Sequence, residues 1–223
     1  MLLQLLFHEP LTFVILASVL IFSLVLHELG HGYAAYFFGD DTARRMGRLT
    51  FNPLKHLDPI GLLLLLTAGV GWAKPVPINT SRLRPYRTGL FVVSIAGIVI
   101  NLTLALLFGL LLYWLKETQP EAVYYTLVQG QTTGWAGILT LVAFYAGLIN
   151  LVLALFNLVP VPPLDGSRIL MSLLPERYHP YIWQLDRYAI YTFLVIVVDI
   201  QMHGPLSRML DWAQNSYLRL FLG

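Results

Sequence analysis

Apolar residues along this chain fall into long, nearly unbroken runs, not into the one-sided patterns of a water-soluble domain. About 20 apolar residues suffice to cross a bilayer as a helix. A first span is therefore expected over about Leu11–Phe38, after a short interfacial lead at 1–9. Further spans are expected over about Thr88–Leu115 and Gly134–Leu158, and a fourth over Tyr188–Met202 if its helix starts earlier, near Tyr181. The run Ile60–Trp72 is too short to cross and is expected to be re-entrant or shallowly inserted. Its tail, GVGWAKPVPIN, puts Pro75 and Pro77 at alternate positions, which strips backbone donors from one edge and leaves the other able to pair. A short edge strand or hairpin competes there with a plain Pro-rich turn. Ser167–Leu174 is expected to be a short helix stopped by Pro175. Apolar positions from Leu206 to Phe221 recur at helical spacing opposite Arg208, Asp211, Gln214 and Asn215, an amphipathic helix on the membrane or packed on the bundle. The fold class expected is an all-α polytopic membrane protein with about four to six transmembrane helices and a re-entrant or short β-hairpin segment near 60–80.

Composition agrees. Of 223 residues 57% are hydrophobic and 12% charged, about half the charged share of a soluble domain. The net charge of +2 is too small to suggest a nucleic-acid partner; the partner is the lipid bilayer. There is no Cys, which excludes disulfides, thiolate ligands and a Cys nucleophile. The N-terminus lacks a basic region and a small-residue cleavage site, so no removable signal peptide is expected.

Charge placement gives an orientation. Eight of the 14 Lys and Arg residues fall between 44 and 87, and Arg168, Arg177 and Arg187 lie between the third and fourth spans. By the positive-inside rule both regions are expected to be cytoplasmic in a multi-pass cell-membrane protein. The first and third spans then end on the same side, and residues 60–80 enter and leave on one side.

Near the end of the first span lies His27-Glu-Leu-Gly-His31. Three ionisable groups in an apolar run are costly unless they serve a function. On a helix His27 and His31 share one face and can share one metal, while Glu28 sits one residue round, beside the position open to water. Two unrelated core histidines are the bland alternative. A catalytic zinc wants a third protein ligand. Asp165, in a Pro-rich turn just past the third span, is on the expected side, as is His56; His8 and His203 are not, and His179 is expected in a loop. A helix N-cap or an Asp-Gly turn would equally explain Asp165 taken alone.

HELGH within a span, followed downstream by NLVPVPPLDG, resembles the site-2 protease family of intramembrane zinc metalloproteases. The third ligand of that family is the Asp of an NxxPxxPLDG motif, matched here by Asn157, Pro160, Pro163, Leu164, Asp165 and Gly166. FNPLKHLDPIG, GWAKPVPIN and the GxxxN pattern Gly97–Asn101 also match recurrent family features, and the resemblance covers about residues 20–170. It implies one Zn²⁺ per chain held by His27, His31 and Asp165, Glu28 as catalytic base, and cleavage of transmembrane protein substrates in regulated intramembrane proteolysis. One membrane-embedded domain is expected over 1–223, with a catalytic core over about 11–170 and C-terminal helices over 178–222. A minimal enzyme is expected, without a PDZ or nucleotide-binding domain and without the extra leading helix of some relatives.

Substrate contacts are expected along Lys74, Val76 and Ile78 by strand addition. Asn101 is expected to meet the substrate backbone or oxyanion, or else to bond between helices; Asn157 is a further candidate. Three other readings compete. A CAAX-type membrane zinc protease takes a Glu as third ligand, for which Glu176 is the residue available. A non-catalytic helix binder would not need Glu28. A metal transporter would want polar residues along several spans.

Overall fold

The computed structural model describes residues 2–68 and 71–223. Among these, all regular structure is helical. Helix α1 (Leu2–His8) leads into α2 (Pro10–Phe37), the first expected span, with Pro10 at its first turn. Gly39 adopts φ +98°, a left-handed conformation open to glycine, and Asp40 N–H bonds back to the Ala35 carbonyl, which closes α2. A one-turn helix α3 (Thr42–Arg45) follows.

Pro53 and Pro59 each begin a helical piece, with Asn52 and Asp58 just outside it. Asn52 Oδ1 caps a 3₁₀ turn, and Asp58 Oδ1 accepts from Gly61 N–H at the start of α4 (Pro59–Ala68). Ten residues of helix rise about 15 Å, half a bilayer core, so α4 does not cross. The chain then comes back over itself. A Cβ on Gly61 would lie 2.2 Å from the Trp72 carbonyl oxygen, and one on Gly71 2.2 Å from that of Gly61. The expected β element is reduced to one antiparallel bridge, Leu57 to Ala73, with Lys74 N–H bonded to the His56 carbonyl. Residues 69 and 70, part of the expected hairpin, lie outside the described residues.

Helices α5 (Tyr86–Thr118) and α7 (Gly134–Asn157) are the second and third spans, linked by α6 (Pro120–Leu127). Together α2, α5 and α7 form a mutually packed trio. Alternation of direction brings the end of α2, the start of α5 and the end of α7 to one end of the bundle. There α8 (Asp165–Leu173) packs on α5. Arg87 donates to the carbonyls of Ser172, Leu173 and Leu174, satisfying the C-terminal end of α8. Ala35, Leu83, Leu90, Met171 and Ile182 form the apolar cluster under this end.

The remaining chain runs through α9 (His179–Leu185) and α10 (Ala189–Gln201) into α11 (Pro205–Leu222). Residues 179–201 and α11 are bent by 60°, and count as one further span only if taken as a pair, so the described helices supply three spans, or up to four. His179 is the first residue of α9, not part of a loop. Asp199, an acid in an apolar run, accepts from Ser207 N–H in the first turn of α11. Helix α11 packs on the bundle: Tyr217 donates to the Ala105 carbonyl at 2.8 Å, and the Tyr217 and Phe221 rings fill the spaces left by Gly147 and Gly109.

Candidate metal centre

His27 and His31 sit one turn apart on α2, both buried, with their Nε2 atoms 3.0 Å apart. Asp165 Oδ2 lies 3.1 Å from each. The other ring nitrogens are occupied. His31 Nδ1 is 2.6 Å from the Val93 carbonyl, which can only accept, so Nδ1 carries the proton. His27 Nδ1 lies 3.1 Å from Asn101 Oδ1 in the same sense. In a neutral imidazole the opposite nitrogen is then a bare lone pair. Two such lone pairs and a carboxylate oxygen converge with no proton between them, which is unfavourable without a cation. A tetrahedral zinc with bonds of about 2.0–2.1 Å keeps its ligand atoms about 3.3 Å apart, close to the spacing found. The donor set fits zinc, and these three are the metal-capable cluster among the described residues.

Asp165 reaches α2 because of how α7 ends. Prolines 160, 162 and 163 prevent continuation of the helix, and the turn closes through Val161 N–H to Val159 and Leu164 N–H to Val161. Gly166 lies so near this turn that a Cβ would sit 2.3 Å from the Leu158 carbonyl oxygen. Leu164, not Asp165, occupies the N-cap of α8, so the carboxylate is free to face the histidines.

One stripe of α5 serves the site over three successive turns. The Val93 carbonyl holds His31, Asn101 holds His27, and Gly97 between them makes room. A Cβ at Gly97 would lie 2.5 Å from His27 Cε1 and 2.6 Å from His31 Nε2. The GxxxN pattern thus has a local meaning. Its Asn is fully buried against a metal-capable histidine, an outer-sphere contact that fixes ring orientation and tautomer.

Glu28, half-buried, accepts a 2.6 Å hydrogen bond at Oε2 from Val76 N–H. The extended stretch 73–79 therefore lies against the HExxH turn of α2. Val76 is buried, Ile78 packs on the apolar cluster around Leu83, and Lys74 is exposed. Asn157 is not brought to the cluster: its Nδ2 donates to the Leu153 carbonyl in its own helix. His56 is also elsewhere, buried with Nε2 on the Thr50 carbonyl. The side chain of Glu176 lies outside the described residues. Sequence reasoning missed the Val93 carbonyl, since a backbone acceptor leaves no mark in a residue list. It also missed Asp40 and Arg48, buried charges whose one signal was their place in the polar loop after the first span.

Comparison with known proteins agrees with this geometry. The family model "Peptidase family M50" matches residues 15–198. The chain is 42% identical over 215 residues to "Putative zinc metalloprotease YwhC" of Bacillus subtilis, covering 92% of this chain and 90% of that protein. It is 30% identical over 206 residues to "Putative zinc metalloprotease Rip2" of Mycobacterium tuberculosis, covering 90% and 73% respectively. It is also 30% identical over 199 residues to "Putative zinc metalloprotease MJ0611" of Methanocaldococcus jannaschii, covering 87% and 84%. No solved structure gives a significant match.

Proposed function

This chain belongs to peptidase family M50, the site-2 protease family, and from that premise we propose that it is a zinc-dependent endopeptidase that cleaves transmembrane helices of membrane-protein substrates. The observation that carries the reading is the convergence of His27 Nε2, His31 Nε2 and Asp165 Oδ2 beside Glu28, at one end of a bundle of membrane-length helices. His27, His31 and Asp165 hold one zinc ion. Bound there, zinc supplies a Lewis acid that lowers the pKa of water toward about 7 and polarises a carbonyl oxygen. Glu28 takes a proton from the attacking water and returns it to the leaving amine.

A helical substrate has its carbonyls engaged in i→i−4 bonds, so it must unwind locally before attack. The stretch 74–79 is suited to receive the unwound segment by strand addition. Its Ile78 N–H and the carbonyls of Val76 and Ile78 have no hydrogen-bond partner among the described residues. An apolar cavity of about 220 Å³, bordered by Leu24, Leu65, Trp72, Ala73, Phe156 and Phe193, reaches the residue just before this stretch and offers room for apolar side chains. The Lys- and Arg-rich loops at this end support a site that faces the cytoplasm, by the positive-inside rule.

Purified protein in liposomes, incubated with a transmembrane substrate, should yield fragments cut within the span. Chelation should stop the reaction and zinc should restore it; intact substrate throughout would contradict the reading. Because the chain has no Cys, single cysteines introduced at 46 or 130 report orientation by labelling of intact cells. The reading requires position 46 to be cytoplasmic.

A further inference from the structure

The loop after α2 carries two buried charges that make no ion pair among the described residues. Asp40 is 1% exposed and Arg48 8%. Removing unpaired charges from water is costly, and both spend their charge on backbone groups of one distant stretch. Arg48 Nη2 donates to the carbonyls of Lys74 at 2.9 Å and Pro75 at 3.1 Å. Asp40 Oδ2 accepts from Asn79 N–H at 2.6 Å, while its Oδ1 accepts from Thr42. These contacts bracket Val76, whose N–H is on Glu28.

Side-chain packing agrees with this register. Gly32, one residue past His31, leaves the space occupied by Val76 and Leu49: a Cβ there would lie 3.1 Å from Val76 Cγ1 and 2.4 Å from Leu49 Cδ2. Pro75 and Pro77 have no N–H, so the donors of this stretch are Lys74, Val76, Ile78 and Asn79. Lys74 is held by the His56 carbonyl, Val76 by Glu28 and Asn79 by Asp40. That leaves Ile78 N–H to pair with a new strand. A shift by one residue would put a proline opposite Glu28.

We infer that Asp40 and Arg48 are positioning residues, a clamp that sets the register of residues 74–79 against Glu28 and so presents the pairing edge to substrate. The inference rests on the strand-addition reading above, but the clamp can be tested without it. In full-length protein, hydrogen exchange of peptides covering 73–83 should accelerate about tenfold or more in Asp40→Ala and Arg48→Ala, with α5 and α7 peptides unchanged. Zinc content should stay at the wild-type level. With a transmembrane substrate KM should rise about tenfold, the cost of one hydrogen bond to a charged group, with a much smaller change in kcat. Asp40→Asn and Arg48→Lys, which retain part of the bonding and perturb folding least, should recover part of both effects. Unchanged exchange at 73–83 overturns the clamp. Faster exchange with unchanged KM and kcat overturns its role in presenting the edge, and strand addition with it. An inactive wild type would defeat the functional reading alone, since exchange still decides whether the clamp exists.

Discussion

Asp165 Oδ2 lies 3.1 Å from His31 Nε2 although 134 residues separate them in the chain. Two independent local structures produce that contact: an α2 helix that stacks two histidines on one face, and a proline-rich turn that ends α7 and aims the first residue of α8 back at it. If this contact is a metal edge, Asp165→Ala should lower zinc affinity by about a hundredfold or more, beyond the range typical of an outer-sphere partner. Zinc content by mass spectrometry of the purified variant checks it. Retention of wild-type zinc would move the third ligand elsewhere.

Asn101 was expected from sequence either at the substrate or between helices, and it is found fully buried with Oδ1 on His27 Nδ1. Asn101→Leu keeps the volume and removes the acceptor. Zinc affinity should fall about 10- to 100-fold, which zinc titration against a competing chelator would measure. Normal zinc affinity with a raised KM would instead place Asn101 at the substrate.

Gly97→Ala is the sparest steric test. Its methyl would fall 2.5–2.6 Å from atoms of both imidazoles, inside any allowed contact. Either the rings shift or α5 moves off α2, at a cost of about 1–3 kcal/mol. Both zinc content and activity should drop while the protein still assembles in the membrane. An unaffected variant would mean that the helices separate more easily than this packing implies.

Legibility in the sequence followed the range of the physics involved. The spans were readable because hydropathy over about 20 residues is a direct measure of bilayer compatibility, and the observed ends of α2, α5 and α7 fall within three residues of expectation. HExxH was readable because helical periodicity alone puts its two histidines together. Asp165 needed topology as well as motif: span parity gave the side, and prolines gave the turn. Short-range backbone detail was not accessible in the same way. Among the described residues the expected hairpin near 60–80 is a single bridge, because Pro75 and Pro77 remove ladder donors and side chains of α2 and its following loop take several of the other backbone groups. The amphipathic C-terminal helix could have lain on the membrane; glycine notches at 109 and 147, invisible as a pattern, decide that it docks on the bundle.

The central claim is that this site hydrolyses peptide bonds with Glu28 as base, and Glu28→Ala tests it most directly. The side chain is beside the metal ligands but not among them, and its Oε2 is held by Val76 N–H. Zinc content and cleavage of a transmembrane substrate should be measured together on wild type and Glu28→Ala. The account predicts one zinc per chain in both and a loss of cleavage in the variant of at least about 100-fold, the lower range for a general base. A variant that still cleaves at the wild-type rate would contradict it.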